Sequence, residues 1–165
     1  MLVVDFKTIK GLYNCSVLQG QIFTNGVFDL IHAGHIYVLK ECAKYAHTND
    51  LKIVVGINDD KSVKELKGPH RPIFLMKDRV EILSSIRYID YIVTFNTKSV
   101  LPVIEFLKPK FLIKGGDYTI TTDTEERKVV GQSFVESYGG EVITTDLHGT
   151  VSTTSIIEKI KRLNG

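Results

Sequence analysis

Thr24-Asn25-Gly26-Val27-Phe28-Asp29-Leu30-Ile31-His32-Ala33-Gly34-His35 is the stretch on which the reading of this chain turns. The apolar run 21–24 stops at Asn25-Gly26, a turn-forming pair. From Ala33 onward, Ile36, Leu39, Cys42 and Ala43 fall on one face of a helix of period 3.6 over 33–45. A short strand thus turns directly into a helix, and the pattern repeats outward. Apolar runs at 51–57, 89–95, 111–113 and 141–145 alternate with helical segments at 76–86, 100–107, 124–138 and 153–163. Pro109 helps to end the 100–107 helix, and Gly139-Gly140 caps the 124–138 helix. Lys159, Lys161 and Arg162 sit near the end of the last one, where cations suit the helix dipole. Strands alternating with helices of this length specify βαβ units. Short, continuously apolar strands fit a sheet covered on both faces. Right-handed crossovers then predict a doubly wound, Rossmann-like α/β fold, a five-stranded parallel sheet with helices on both faces. Residues 1–165 read as a single domain. Residues 1–20 form an N-terminal extension with no assigned role, in which 2–4 and 12–18 are placed to cover a sheet edge or a partner.

A chain of 165 residues suffices for one domain with a substantial core. With 43% hydrophobic and 24% charged residues, whole-chain disorder is excluded. The net charge of +2 gives too weak a field to argue for nucleic acid or an anionic membrane surface. Any anion site must therefore be built from local charge. Cys15 and Cys42 form neither a disulfide framework nor a zinc site, and read as free thiols in a reducing compartment. The first residues lack a long apolar segment and a small-residue cleavage site, and no apolar run is long enough to span a bilayer. A cytoplasmic location is expected.

Ligands of doubly wound sheets sit beyond the carboxyl ends of the strands. The segments to read for chemistry are therefore 25–35, 58–72, 96–99, 114–118 and 146–155. In the first, Gly34 removes a Cβ from the path of a phosphate, and the helix mouth offers unpaired N–H groups to an anion. His32 and His35, three residues apart, face the same way on a helical turn, and each can donate to a phosphoryl oxygen. A metal site is the weaker reading, because no third ligand is close in sequence. Asp29 reads first as a turn former or N-cap and second as a substrate contact. In the charged segment 59–72, Lys61 and His70 read as solvated. Lys64 and Lys67 follow the second strand and can neutralise phosphates in the crevice. Arg79 reads equally as a phosphate contact or as half of an internal ion pair. Lys114-Gly115-Gly116-Asp117-Tyr118 lets the backbone approach a base or ribose, with Asp117 as an acceptor for hydroxyls. Ser152, Thr153 and Thr154 precede an apolar helical run, which makes an N-cap and an anion site at once.

The stretch GVFDLIHAGH resembles the HxGH motif of the cytidylyltransferase-like nucleotidyltransferases. With RPIFLMKDRVEILSSIRYIDYIV, FLIKGGDY, VVGQSFVESYGGEV and GTVSTTSIIEKI, the chain from about Phe23 to Lys161 resembles the adenylyltransferase domains that make ADP-activated heptose from D-glycero-D-manno-heptose 1-phosphate. This resemblance implies that His32 and His35 stabilise the α-phosphate of a nucleoside triphosphate during transfer. It implies that Lys64 and Lys67 hold acceptor or leaving phosphates. Nucleotide contacts are implied at Asn25, Gly26, Phe28, Gly34, Lys114, Gly115, Gly116, Asp117, Ser152, Thr153 and Thr154, and substrate contacts at Asp29, Arg79 and Tyr118. Mg²⁺ is expected with the triphosphate, its protein ligands unidentified, and a homodimer is implied. Glycerol-3-phosphate cytidylyltransferase is the rival enzyme, and a nucleotide-binding regulatory module the rival outside catalysis. Leu147-His148 and the Thr-rich 119–124 depart from the family pattern, which leaves base, sugar and anomer open. A sugar kinase supplying the substrate is expected on a different chain.

Overall fold

A computed structural model describes residues 2–11, 16–116, 129–146 and 151–163. Among the described residues, six strands, rather than five, pair in one parallel sheet. They are β1 (Leu2–Asp5), β2 (Ile22–Gly26), β3 (Ile53–Asn58), β4 (Tyr91–Phe95), β5 (Phe111–Lys114) and β6 (Glu141–Thr144), in the order β1-β4-β3-β2-β5-β6. The extra strand is β1. It pairs in register with β4 from Leu2 opposite Tyr91 to Asp5 opposite Thr94. Four residues with no turn signal before them carry too little pattern to announce a strand. At the sheet edge Leu2 and Val3 stay exposed, so residues 2–4 do cover an edge, by pairing with it.

The inner strands explain their own composition. Successive residues point to opposite faces, and here they feed two separate cores. Phe23, Val54, Val93 and Leu112 join one core with Ile9, Val103 and their neighbours. Ile22, Val55, Ile92 and Ile113 join the other with Leu39, Cys42 and Leu83. Each such side chain stabilises the fold by ~1.5–3 kcal/mol when fully buried. The first core is closed by α1 (Phe6–Lys10), α5 (Leu101–Leu107) and α6 (Gln132–Ser137). The second is closed by α2 (Ala33–Asn49) and α4 (Met76–Ser84). The sheet is therefore wound on both faces. Gly56, mid-way along β3, is required by this packing, since a Cβ there would lie 2.7 Å from the ring of Phe23.

The helices match the sequence periodicity with shifted ends. α2 runs four residues beyond 45 and stops at Asp50 in the left-handed region. α4 ends two residues early, at Ser84. α7 (Thr153–Leu163) has the expected bounds. Of the helix expected over 124–138, Gln132–Ser137 is helical and 124–128 lie outside the described residues. Gly139 takes φ +83 beyond it, as its capping role requires. Besides β1 and the short α1 in the N-terminal extension, α3 (Asp60–Lys67) departs from expectation. The charged segment after β3 is not a loop at its start but this helix. Asp59 caps it by accepting the Ser62 N–H at 2.8 Å, and only Ser62 and Val63 are buried on it. A helix this polar offers almost no apolar period to read.

Candidate active site

In strand order, β2 is flanked by β3 and β5, so the winding direction reverses there. Ligands of open α/β sheets collect at such a point. A cavity of about 310 Å³ opens beyond the strand ends. Asn25 and Gly26 of β2, Asn58 of β3, Phe95 of β4 and Lys114 of β5 line it. Lys67 of α3, residues 98–100 after β4 and Val130 also line it. The Lys114 ammonium hydrogen-bonds the Asn25 side-chain oxygen and, at 3.4 Å, its backbone carbonyl. Burial lowers its pKa to about 7, so its charge is poised to respond to an anion.

His32 and His35 sit at the start of α2. His32 is the N-cap and accepts the Gly34 N–H on Nδ1 at 3.2 Å, while Nδ1 of His35 accepts the His32 N–H at 3.3 Å. The two rings lie 3.8 Å apart, and Phe28 packs on His35 at 5.1 Å. Phe28 adopts φ +50, and a Cβ on Gly26 would come within 3.2 Å of its ring, so the Asn-Gly turn makes room for the aromatic that seats the histidine. Both backbone bonds end on Nδ1, which places the ring proton on Nε2. The pair is thus two neutral Nε2–H donors at a helix N-terminus. Burial lowers the pKa of both, and His35 falls to about 4 with His32 adding a smaller push.

Seating His35 as a neutral ring makes stability depend on pH. An unfolded histidine titrates near 6.5 and takes its proton before folded His35 does, so stability falls as pH drops from about 6.5 towards 4 and levels off below. Imidazole ¹⁵N shifts are expected to show His35 neutral and Nε2-protonated at pH 6. A His35→Asn variant should lack this component of acid destabilisation. Titration of His35 at 6.5 would show that the ring is not seated this way.

Two charged residues read as substrate contacts have other work. Asp29 is buried, and the cap of α2 is His32 instead. Its carboxylate accepts Arg71 Nε at 2.7 Å and the N–H groups of Ile73 and Phe74 at 2.8–2.9 Å. Arg79 has no exposed surface. It donates to the carbonyls of Val27, Asn58 and Phe74 and to Asp60 Oδ1, at 2.7–3.1 Å. The internal ion pair of that reading is present, to Asp60, and the guanidinium is fully buried. Together Asp29 and Arg79 tie the loop before α2 to the end of β3, the first turn of α3 and residues 71–74.

The other candidates divide. Asn25, Gly26, Lys67 and Lys114 share the cavity. Lys64 is exposed on α3 and does not line it, and Lys61 and His70 are solvent-exposed as expected. Gly115 and Gly116 directly follow β5. Ser152 N-caps α7 through a reciprocal pair with Ser155, at 2.8 and 3.1 Å, with Thr153 and Thr154 in the first turn. Cys15, Asp117, Tyr118, the Thr-rich 119–124 and Leu147-His148 lie outside the described residues. Among the described residues, no group of three or more His, Cys, Asp or Glu side chains is arranged to hold a metal, and no helix is long and apolar enough to cross a membrane. Asn58, Lys98 and Ser99 are cavity residues that sequence reasoning missed. Their only signal is position, at the end of β3 and just after β4, within the segments 58–72 and 96–99.

Comparison with known proteins agrees with this geometry. The model of the family described as cytidylyltransferase-like matches residues 23–159. The chain is 41% identical over 145 residues to the bifunctional protein HldE of Alcanivorax borkumensis, covering 87% of this chain and 28% of that protein. It is 44% identical over 165 residues to the bifunctional protein HldE of Geobacter metallireducens, covering 99% of this chain and 32% of that one. The chain thus spans about a third or less of the length of these relatives. The crystal structure of the lipopolysaccharide core biosynthesis protein from Thermoplasma volcanium shares the fold, with a TM-score of 0.59 and 23% identity over 78% of this chain and 98% of that one.

Proposed function

The chain belongs to the cytidylyltransferase-like family, and from that membership we propose that it transfers a nucleotidyl group from ATP to D-glycero-D-manno-heptose 1-phosphate, releases pyrophosphate, and works as a cytoplasmic homodimer. The paired Nε2–H donors of His32 and His35 at the mouth of α2 carry this reading. The acceptor phosphate attacks the α-phosphorus, and the bond to the β-phosphate oxygen breaks. A phosphate monoester is already an anion near pH 7, so the reaction asks for positioning and charge stabilisation more than for a general base. The two imidazoles meet the α-phosphoryl oxygens as charge builds there, and need not change protonation to do so. Lys67 draws phosphate to the cavity. Ser152, Thr153 and Thr154, with the N-terminus of α7, suit the triphosphate. A divalent cation bound with the triphosphate would neutralise charge on the phosphates, and among the described residues no cluster of carboxylates or histidines is arranged to hold it alone.

Similarity to bifunctional HldE proteins over most of this chain supports the sugar phosphate over glycerol 3-phosphate. A pyrophosphate-release assay with ATP, CTP and GTP against heptose 1-phosphate and glycerol 3-phosphate tests the reading. Turnover is expected with ATP and the heptose. Turnover of CTP with glycerol 3-phosphate would transfer the chain to the rival enzyme. Tight nucleotide binding with no product would make it a binding module.

A further inference from the structure

Lys98 belongs to no motif, yet it stands in the wall of the cavity with Lys67 and Lys114. Among the described residues no carboxylate lines that cavity, whose other polar groups are those of Asn25, Asn58 and Ser99. Phe95 and Val100 add apolar wall. The loop that carries Lys98 is built rather than draped. The Thr97 hydroxyl donates to the Ser99 carbonyl at 2.7 Å, and Asn58, at the end of β3, donates to the Thr97 carbonyl at 3.3 Å. The ammonium of Lys98 lies 3.3 Å from Glu65 of α3, and both side chains are well exposed. Such a pair is weak and readily exchanged.

We infer that Lys98 is a specificity-determining residue that binds the phosphate of the acceptor, with Glu65 as the partner it gives up on binding. This rests on the nucleotidyl-transfer reading above and deepens it. In-line displacement puts the attacking phosphate and the departing pyrophosphate on opposite sides of the α-phosphorus. His32 and His35 follow β2, the strand at the reversal. Lys98 follows β4, on the β3–β4 flank of β2, whereas the segment leading to α7 follows β6, on the β5–β6 flank. The hydroxyls suited to the triphosphate and the lysine at position 98 therefore descend from opposite flanks. A phosphate monoester carries up to two charges, and the cavity meets it with lysines from three separate elements, Lys67 on α3, Lys98 after β4 and Lys114 of β5.

The sign of two substitutions decides between this role and a plain strap. If Lys98 receives the acceptor phosphate, Glu65 competes for it. Lys98→Ala should then raise the acceptor KM by about tenfold, the loss of one charge-assisted contact, with the effect on acceptor KM rather than on ATP KM. Glu65→Gln should lower the acceptor KM or leave it no higher. If the pair only ties α3 to the loop, both substitutions loosen the same tie and raise KM together. Initial rates with heptose 1-phosphate varied at saturating Mg·ATP, then ATP varied at saturating sugar, give both constants. A joint rise in acceptor KM, an unchanged KM in Lys98→Ala, or a rise confined to ATP would each overturn the inference. Wild-type protein that makes no product from these substrates would instead remove the reading on which it rests.

Discussion

His35→Ala is expected to lose at least ~100-fold in kcat, the usual cost of removing one preorganised donor to charge that develops in the transition state. The ring is seated by Phe28 and by the His32 N–H, so its Nε2–H is aimed before substrate arrives. An interaction realised chiefly in the transition state is lost from kcat, with KM little changed. The substitution also removes a cap bond from α2, which costs roughly 1 kcal/mol of stability. That loss lowers the melting temperature by a few degrees and leaves the protein folded at assay temperature, so it cannot imitate a hundredfold fall in turnover. Pyrophosphate release at saturating ATP and sugar phosphate, with circular dichroism as the fold control, makes the measurement. A rate within threefold of wild type would sink the proposed role of the histidines.

The histidine pair was legible in the sequence because its geometry is local. His32 and His35 lie one helical turn apart, and the strand–turn–helix that presents them occupies a dozen consecutive residues. Lys114 was legible for a related reason, since it ends a strand and topology directs such positions to one crevice, and Lys67 lies in the charged segment that follows β3. What could not be read was set by distant partners. Asp29 meets Arg71 across 42 residues, and Arg79 meets Val27 across 52. Neither partner is signalled by spacing, so Asp29 read first as a turn former or N-cap, and Arg79 as an ion pair or a phosphate contact alike. Lys98 falls in the post-strand segment 96–99, but nothing in its residue type marked it out there. An isolated lysine in a polar loop is ordinary until the order β4-β3-β2 brings that loop to the cavity. The sixth strand and helix α3 were lost to pattern length and polarity. Residues that bind by local geometry announce themselves, and residues that hold two segments in register do not.

Arg79→Met should destabilise the fold more than any of the other substitutions, by roughly 3–5 kcal/mol, because each buried carbonyl left unpaired costs about 1–3 kcal/mol. Methionine fills much of the space but donates nothing. It strands the carbonyls of Val27, Asn58 and Phe74, which now accept from the guanidinium, and it leaves Asp60 without its cation. Against a total stability of about 5–15 kcal/mol this is a large share, and for a chain of this size it corresponds to a fall of about 10 °C in melting temperature. Two further variants separate the parts. Arg79→Lys keeps the charge, but a single ammonium cannot reach acceptors on three separate segments, so its loss should be intermediate. Asp60→Asn should cost least. The Asp60 side chain is 30% exposed, and asparagine keeps an oxygen for Arg79 and for the Met76 N–H that Asp60 now accepts at 2.8 Å. Urea unfolding should therefore rank the losses with Met above Lys and both above Asp60→Asn. Equal losses in Arg79→Met and Asp60→Asn would mean that the ion pair alone holds the brace. A loss under about 1 kcal/mol in Arg79→Met, no more than an ordinary hydrogen bond contributes, would mean that the loop before α2 keeps its place without it. The predicted ranking instead makes the three carbonyl bonds the means by which the histidine-bearing loop is fixed against β3 and α3.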